Sequence, residues 1–138
     1  MSRLAIVDAG PLYAAVDADD ESHLACRAVL ARADLRLVIP AMVVAEATYF
    51  VNRRLGATAE TAFLHGLASL DVEGPSRADL VRMAELVGEY ADFPLGGTDA
   101  SVVALAERLQ ARTVLTLDRR HFAAMAPRHC GAFELLPE

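Results

Sequence analysis

Four acidic residues stand where this chain can assemble chemistry: Asp8, Glu46, Asp99 and Asp118. Asp8 ends the apolar run Leu4-Ala5-Ile6-Val7, and Asp118 stands just past Thr113-Val114-Leu115-Thr116-Leu117. Both runs read as short strands, and the carboxyl ends of strands are where open α/β sheets bind ligands. Asp99 falls in the first turn of a helix for which Thr98 supplies the N-cap hydroxyl, a position that favours negative charge. Glu46 is the one charged residue between Arg36 and Arg53, where an ionised carboxylate is costly unless something pairs with it. Carboxylates with no Cys or His among them are hard oxygen donors suited to Mg²⁺ or Mn²⁺. Two such cations ~3.5–4 Å apart would activate a water and stabilise the leaving oxygen in phosphodiester hydrolysis.

Each acid also has a plainer reading, because the chain carries 19 of them. Asp8 can begin a turn, Asp99 can satisfy a helix dipole, and Asp118 can cap the short turn that follows it. Glu46 can sit on a solvent face or pair with Arg53 or Arg120. Asp17, Asp19, Asp20, Glu21, Asp71 and Asp92 read as solvated loop acids. His23, His65, His121 and His129 form no His-x-x-x-His or comparable pairing, which argues against zinc. The pairs Arg53-Arg54 and Arg119-Arg120 flank candidate acids, as solvated helix ends or as phosphate contacts.

The elements that must bring these acids together follow from the apolar pattern. Leu4–Val7 is continuous rather than alternating, as expected for a strand covered on both faces. Pro11 suits a helix start, Leu12–Val16 begins a short helix, and Glu21–Ala33 continues with Leu24, Val29 and Leu30 on one side. Leu37-Val38-Ile39 is a second strand stopped by Pro40, followed by helices over Ala41–Arg54 and Ala57–Leu70. Asp71-Val72-Glu73 is a weak third strand. Ser76 caps a helix with Leu80, Met83, Leu86 and Val87 inward, ending near Tyr90. The helix carrying Asp99 shows Val102, Val103, Leu105, Ala106 and Leu109 on one core-facing side. Arg119–Met125 forms a short helical turn, and Ala132–Leu136 a last strand. Alternating strands and helices predict one α/β domain over residues 1–138 with a mostly parallel sheet of about four to five strands.

The bulk properties narrow the class. A hydrophobic fraction of 54% and a mean hydropathy of +0.30 exclude a disordered chain. No apolar run reaches the ~18 residues of a membrane span. The early Asp8 argues against a signal peptide, and Cys26 and Cys130 form no metal spacing, so a cytoplasmic protein is the simplest reading. The net charge of −6 does not advertise nucleic-acid binding, although acids that hold cations make a formal charge misleading locally. All 13 basic residues are Arg, the better residue for bidentate phosphate contact.

Taken in order, I-V-D-A-G-P-L at Ile6–Leu12, D-D-E-S-H at Asp19–His23 and V-V-A-E-A at Val43–Ala47 lead to the most specific segment. That segment is Y-A-D-F-P-L-G-G-T-D-A-S-V-V-A-L-A-E-R-L, followed by T-L-D-R-R-H-F. Over essentially its full length the chain resembles the PIN-domain proteins, and in particular the VapC-type toxin ribonucleases of bacterial toxin–antitoxin pairs. The resemblance implies an α/β/α sandwich, an acidic pocket holding one or two Mg²⁺ or Mn²⁺ ions, and endonucleolytic cleavage of RNA. It makes Asp8, Glu46, Asp99 and Asp118 the metal-binding and catalytic acids, the fourth being the more variable position. Thr116 matches a hydroxyl position that orients the acids. Ala9 and Gly10 stand where many relatives place Ser or Thr. The resemblance further implies a homodimer and a small antitoxin protein that blocks the groove, for which charge suggests an Arg entering the pocket. Arg53, Arg54, Arg119 and Arg120 are candidates for RNA-backbone contact.

Two other classes answer to the same acids. Phosphotransfer domains with Asp at strand ends rely on a Lys, and this chain has none. A non-catalytic PIN domain acting as a binding scaffold would be expected to have lost acids, whereas all four are present here.

Overall fold

The apolar run that ends at Asp8 becomes β1 (Arg3–Val7), the middle strand of a five-stranded sheet. This computed structural model describes residues 2–138. After β1 come α1 (Ala9–Val16), α2 (His23–Leu30), β2 (Leu35–Pro40), α3 (Ala41–Leu55), α4 (Ala57–Leu67) and β3 (Asp71–Glu73). The second half adds α5 (Arg77–Glu89), α6 (Gly97–Leu109), β4 (Thr113–Leu115), α7 (Arg119–Ala123) and β5 (Glu134–Leu136). All four strand pairings are parallel, in the order β3-β2-β1-β4-β5. The chain winds outward from β1 to β3, returns to β4, and winds outward again. The strand order reverses between β1 and β4. Asp8 and Asp118 follow these two strands.

The core forms where β1, β2 and β4 meet α3 and α6, with Ile6, Val7, Val38, Ile39, Val43, Val51 and Val114 closed to solvent. The sequence pattern suggests one buried face for α6, but every residue from Ala100 to Ala106 is buried. The helix lies between the sheet, α3 and α5, and its Ala100, Ser101, Ala104 and Ala106 are small enough to let those neighbours close on all sides. The start of α6 also differs. Its N-cap is Gly96, with no side-chain cap bond, and Thr98 lies inside the first turn, its carbonyl accepting from the Ser101 hydroxyl.

Several helices are shorter or turned differently than their apolar residues imply. The second ends at Leu30 and the fourth at Leu67. Leu24 is 78% exposed rather than packed beside Val29. On α5 the inward stripe is Asp79, Arg82, Met83 and Leu86, a helical i, i+3, i+4, i+7 series that leaves Leu80 and Val87 outside it. Arg82 bonds Glu107 at 2.7 Å and Arg108 bonds Asp79 at 3.0 Å, so two polar pairs lock α5 to α6. Among the described residues no helix is long and apolar enough to cross a membrane.

Asp79 carries a double role, because it also closes a capping box with Ser76 at the start of α5. Burial works to raise its pKa, yet the Arg108 guanidinium and the Ser76 N–H hold it below the ordinary carboxylate value. Asp79→Ala removes the carboxylate half of the capping box and leaves Arg108 unpaired, and should lower stability by about 2–4 kcal/mol in a urea titration.

Candidate active site

Asp8 is 6% exposed, at the end of the central strand where β1 gives way to α1. Burial alone would make this carboxylate unstable, so its oxygens are bonded. Oδ1 accepts from the Ala9 N–H at 2.9 Å and Oδ2 from the Thr116 hydroxyl at 2.8 Å. Thr116 is fully buried, and its Oγ accepts from the Asp118 N–H at 2.9 Å. One hydroxyl therefore fixes the Asp8 carboxylate and the backbone that carries Asp118. Asp118 caps α7 by accepting from the His121 N–H, and His121 Nδ1 also meets its carboxylate.

Asp99 comes from the first turn of α6, with Oδ2 lying 3.8 Å from His121 Nδ1. Glu46 reaches the same place from α3. Its side chain is on the exposed side of that helix, and among the described residues it has no hydrogen-bond or ion-pair partner. All four acids line one groove of about 520 Å³. Asp20, which the sequence places among solvated loop acids, lies on its wall too.

The carboxylates disturb one another. The Asp99 pKa is pushed up to about 6, first by burial and then by the charges of Asp8 and Asp118, with His121 opposing. Asp8 is raised by burial against the lowering effect of its Thr116 and Ala9 bonds. Glu46 is raised by loss of water at the groove wall and by Asp8. The groove thus holds more negative charge than its protein surroundings neutralise. Hard oxygen donors with that surplus fit a divalent cation such as Mg²⁺ or Mn²⁺. One atom each from Asp99, Asp118 and His121 lies within 4.8 Å of the others.

The four candidate arginines separate. Arg54 lines the groove, its guanidinium 5.1 Å from the ring centres of both Tyr13 and Phe50. Arg53 is exposed beside the Tyr49 hydroxyl, at 3.4 Å, and Arg120 is exposed; neither lines the groove. Arg119 is turned the other way. It donates to the carbonyls of Leu135 and Pro137 at 3.1 and 3.0 Å, anchoring the last strand, and does not line the groove. His121 is the residue that sequence reasoning missed. A search for paired histidines passes over it, whereas its position three residues after a capping Asp would have flagged it.

The raised Asp99 pKa predicts a stability change whose sign is fixed. With a folded value of about 6 and an ordinary value of 3.8, Asp99 favours folding below pH 3.8, and that contribution is lost as pH rises through 6. In chelator, Asp99→Asn should therefore be more stable than the parent by about 3 kcal/mol at pH 8. The gain should vanish near pH 3.5, as read from calorimetric melts across the range.

The sequence profile of the PIN domain matches residues 5–126. The chain is 38% identical to the ribonuclease VapC26 of Mycobacterium tuberculosis over 134 residues, 96% of this chain and 99% of that one. Among solved structures, the fold is similar to Mycobacterium tuberculosis VapC20, a sarcin–ricin loop cleaving toxin, with a TM-score of 0.75 and 20% identity. That match covers 80% of this chain and 86% of VapC20. The fold is also similar to a chain of Rickettsia felis VapBC2 bound to a promoter DNA fragment, with a TM-score of 0.73 and 18% identity over 97% and 99% of the two chains. With the sequence profile spanning most of its length, this chain belongs to the PIN-domain family.

Proposed function

We propose that this chain is a metal-dependent endoribonuclease, the toxin of a VapBC-type pair, with Asp8, Glu46, Asp99 and Asp118 as its working acids. The observation that carries the reading is their convergence on one groove, with ionisation opposed by burial and mutual repulsion. Asp8, Asp99 and Asp118 would hold one or two Mg²⁺ or Mn²⁺ ions, with Glu46 across from them. When bound, the cation supplies Lewis acidity at the phosphate and neutralises the charge that develops there. Asp8 is kept in one orientation by Thr116 and the Ala9 amide. Glu46, which has no protein partner, is the group able to orient the attacking water and receive its proton at Oε. Cleavage then leaves a 5′-phosphate and a 3′-hydroxyl.

Arg54 fits the substrate's backbone. Its guanidinium is held against Tyr13 and Phe50 rather than folded onto an acid of the groove, so it keeps donors for a phosphate beside the carboxylates. The surplus charge also accounts for a protein partner: a small antitoxin with a cationic side chain would neutralise the same carboxylates and block access to them. The family reading brings a homodimer with it. The alternative, a PIN domain kept as a scaffold, gives no reason for four acids that oppose one another's ionisation to share one groove.

The test is cleavage of total bacterial RNA with 5′-end mapping, in Mg²⁺ or Mn²⁺ and in chelator. Wild type should give discrete new ends that need the metal, and Asp99→Asn should lose at least about 100-fold in rate. Identical RNA from wild type and Asp99→Asn would support the scaffold. On the cleaved RNA, Arg54→Ala should raise KM about 3- to 10-fold with kcat nearly unchanged and flatten the salt dependence.

A further inference from the structure

His121 sits among the acids without a role in the reading above. Its ring belongs to α7, one short turn beyond β4, and its backbone N–H is bonded to the Asp118 carboxylate that caps that turn. The ring and the acid are therefore one local unit. Nδ1 meets Asp118 and lies 3.8 Å from Asp99 Oδ2, while the ring stands edge-on to Phe93, with centres 5.0 Å apart and planes at 89°. Phe93 comes from the segment between α5 and α6, so the imidazole is oriented from outside its own helix. The contact with Asp118 is local, but the 3.8 Å approach to Asp99 brings a second carboxylate, from α6, to the same nitrogen. One ligand atom from each of Asp99, Asp118 and His121 therefore lies within 4.8 Å of the other two, a spacing that a single cation can bridge.

We propose that His121 is a direct nitrogen donor to the cation of this groove, together with Asp99 and Asp118, and that it biases the site towards Mn²⁺ and other transition cations over Mg²⁺. The inference rests on the reading of the groove as a cation site. Its physical basis is ligand chemistry: a nitrogen donor raises affinity along the transition series, of which Mn²⁺ is the weakest member, whereas Mg²⁺ demands oxygen and keeps its waters. The other histidines are placed elsewhere. His23 Nδ1 and His129 Nε2 meet the carbonyls of Ala14 and Ala111, and His65 is exposed on α4.

The experiment uses the full chain without a histidine tag, loaded with Mn²⁺ and examined by pulsed electron paramagnetic resonance for coupling to ¹⁴N. Titrations of Mn²⁺ and Mg²⁺ are run alongside. Wild type should show imidazole nitrogen coupling, and His121→Asn should lose it. That variant should bind Mn²⁺ about tenfold more weakly while its Mg²⁺ affinity changes less than about threefold. Asparagine keeps a polar side chain of similar reach beside Asp118, and circular dichroism establishes that the variant is folded. An affinity loss alone does not discriminate, because removing a residue that merely supports a ligand costs about 10- to 100-fold too. The nitrogen coupling and the Mn²⁺/Mg²⁺ ratio do. If Mn²⁺ binds with no nitrogen coupling, or if the ratio is unchanged in His121→Asn, His121 is a support for Asp118 and the inference is overturned. If wild type binds no divalent cation at all, the cation reading of the groove falls, and this inference falls with it.

Discussion

Carboxylates gathered in one groove repel each other, and the fold has to hold them together against that repulsion. Each is mounted on a different element, so their backbones cannot separate without moving part of the core. Asp8 ends the central strand, Glu46 rides on α3, Asp99 begins α6 and Asp118 follows β4. The Thr116 hydroxyl couples two of these mounts, donating to Asp8 and accepting from the Asp118 backbone. α6 is fixed by burial on every side between Ala100 and Ala106, and α5 holds it from outside through Arg82–Glu107 and Arg108–Asp79. Strain of this electrostatic kind is tolerable only because packed interiors yield little.

The parts that were legible in the sequence are those set by local pattern. Leu4–Val7 is apolar without alternation because β1 has neighbours on both sides and helices on both faces, and that pattern survives in any reading of the chain. Glu46 stood out because its neighbours in sequence are apolar, whereas Thr116 was legible only through the resemblance to PIN-domain proteins. What was not legible depends on long-range geometry. The complete burial of α6 requires α5 to lie across it, and no period within residues 97–109 encodes that. Thr98 looks like a cap by residue type, yet the backbone turns helical one residue before it. Arg119 and Arg120 are equivalent in sequence, and only the return of the last strand beside α7 decides that Arg119 serves carbonyls. His121 beside Asp118 is a local pattern, but its approach to Asp99, at the start of α6, depends on the packing of separate elements.

The distribution of arginine answers the objection that a chain of net charge −6 should not hold RNA. Arg3, Arg32, Arg82, Arg108 and Arg128 are engaged with acids, far from the groove or along α5 and α6. Arg54 is paired with no acid within 4 Å and instead rests on two aromatic rings at the groove. Overall charge is then a poor guide, because affinity for a polyanion is set by the cations near the scissile phosphate and by any metal ions the acids recruit. An acidic surface elsewhere would keep the chain from gripping nucleic acid indiscriminately.

The same surplus of negative charge explains why one groove can serve both catalysis and its control. A site whose acids were neutralised by the protein's own arginines would gain stability and have no electrostatic reason to recruit a cation. By leaving Glu46 unpartnered and Asp99 with a pKa of about 6, the fold keeps an unmet demand for positive charge. On the proposed reading, metal ions meet that demand during cleavage and a cationic side chain of an antitoxin meets it at rest. Both stabilise the folded chain by binding it and not its unfolded form. Inhibition then needs no separate regulatory site, because the occupants compete for the same carboxylates.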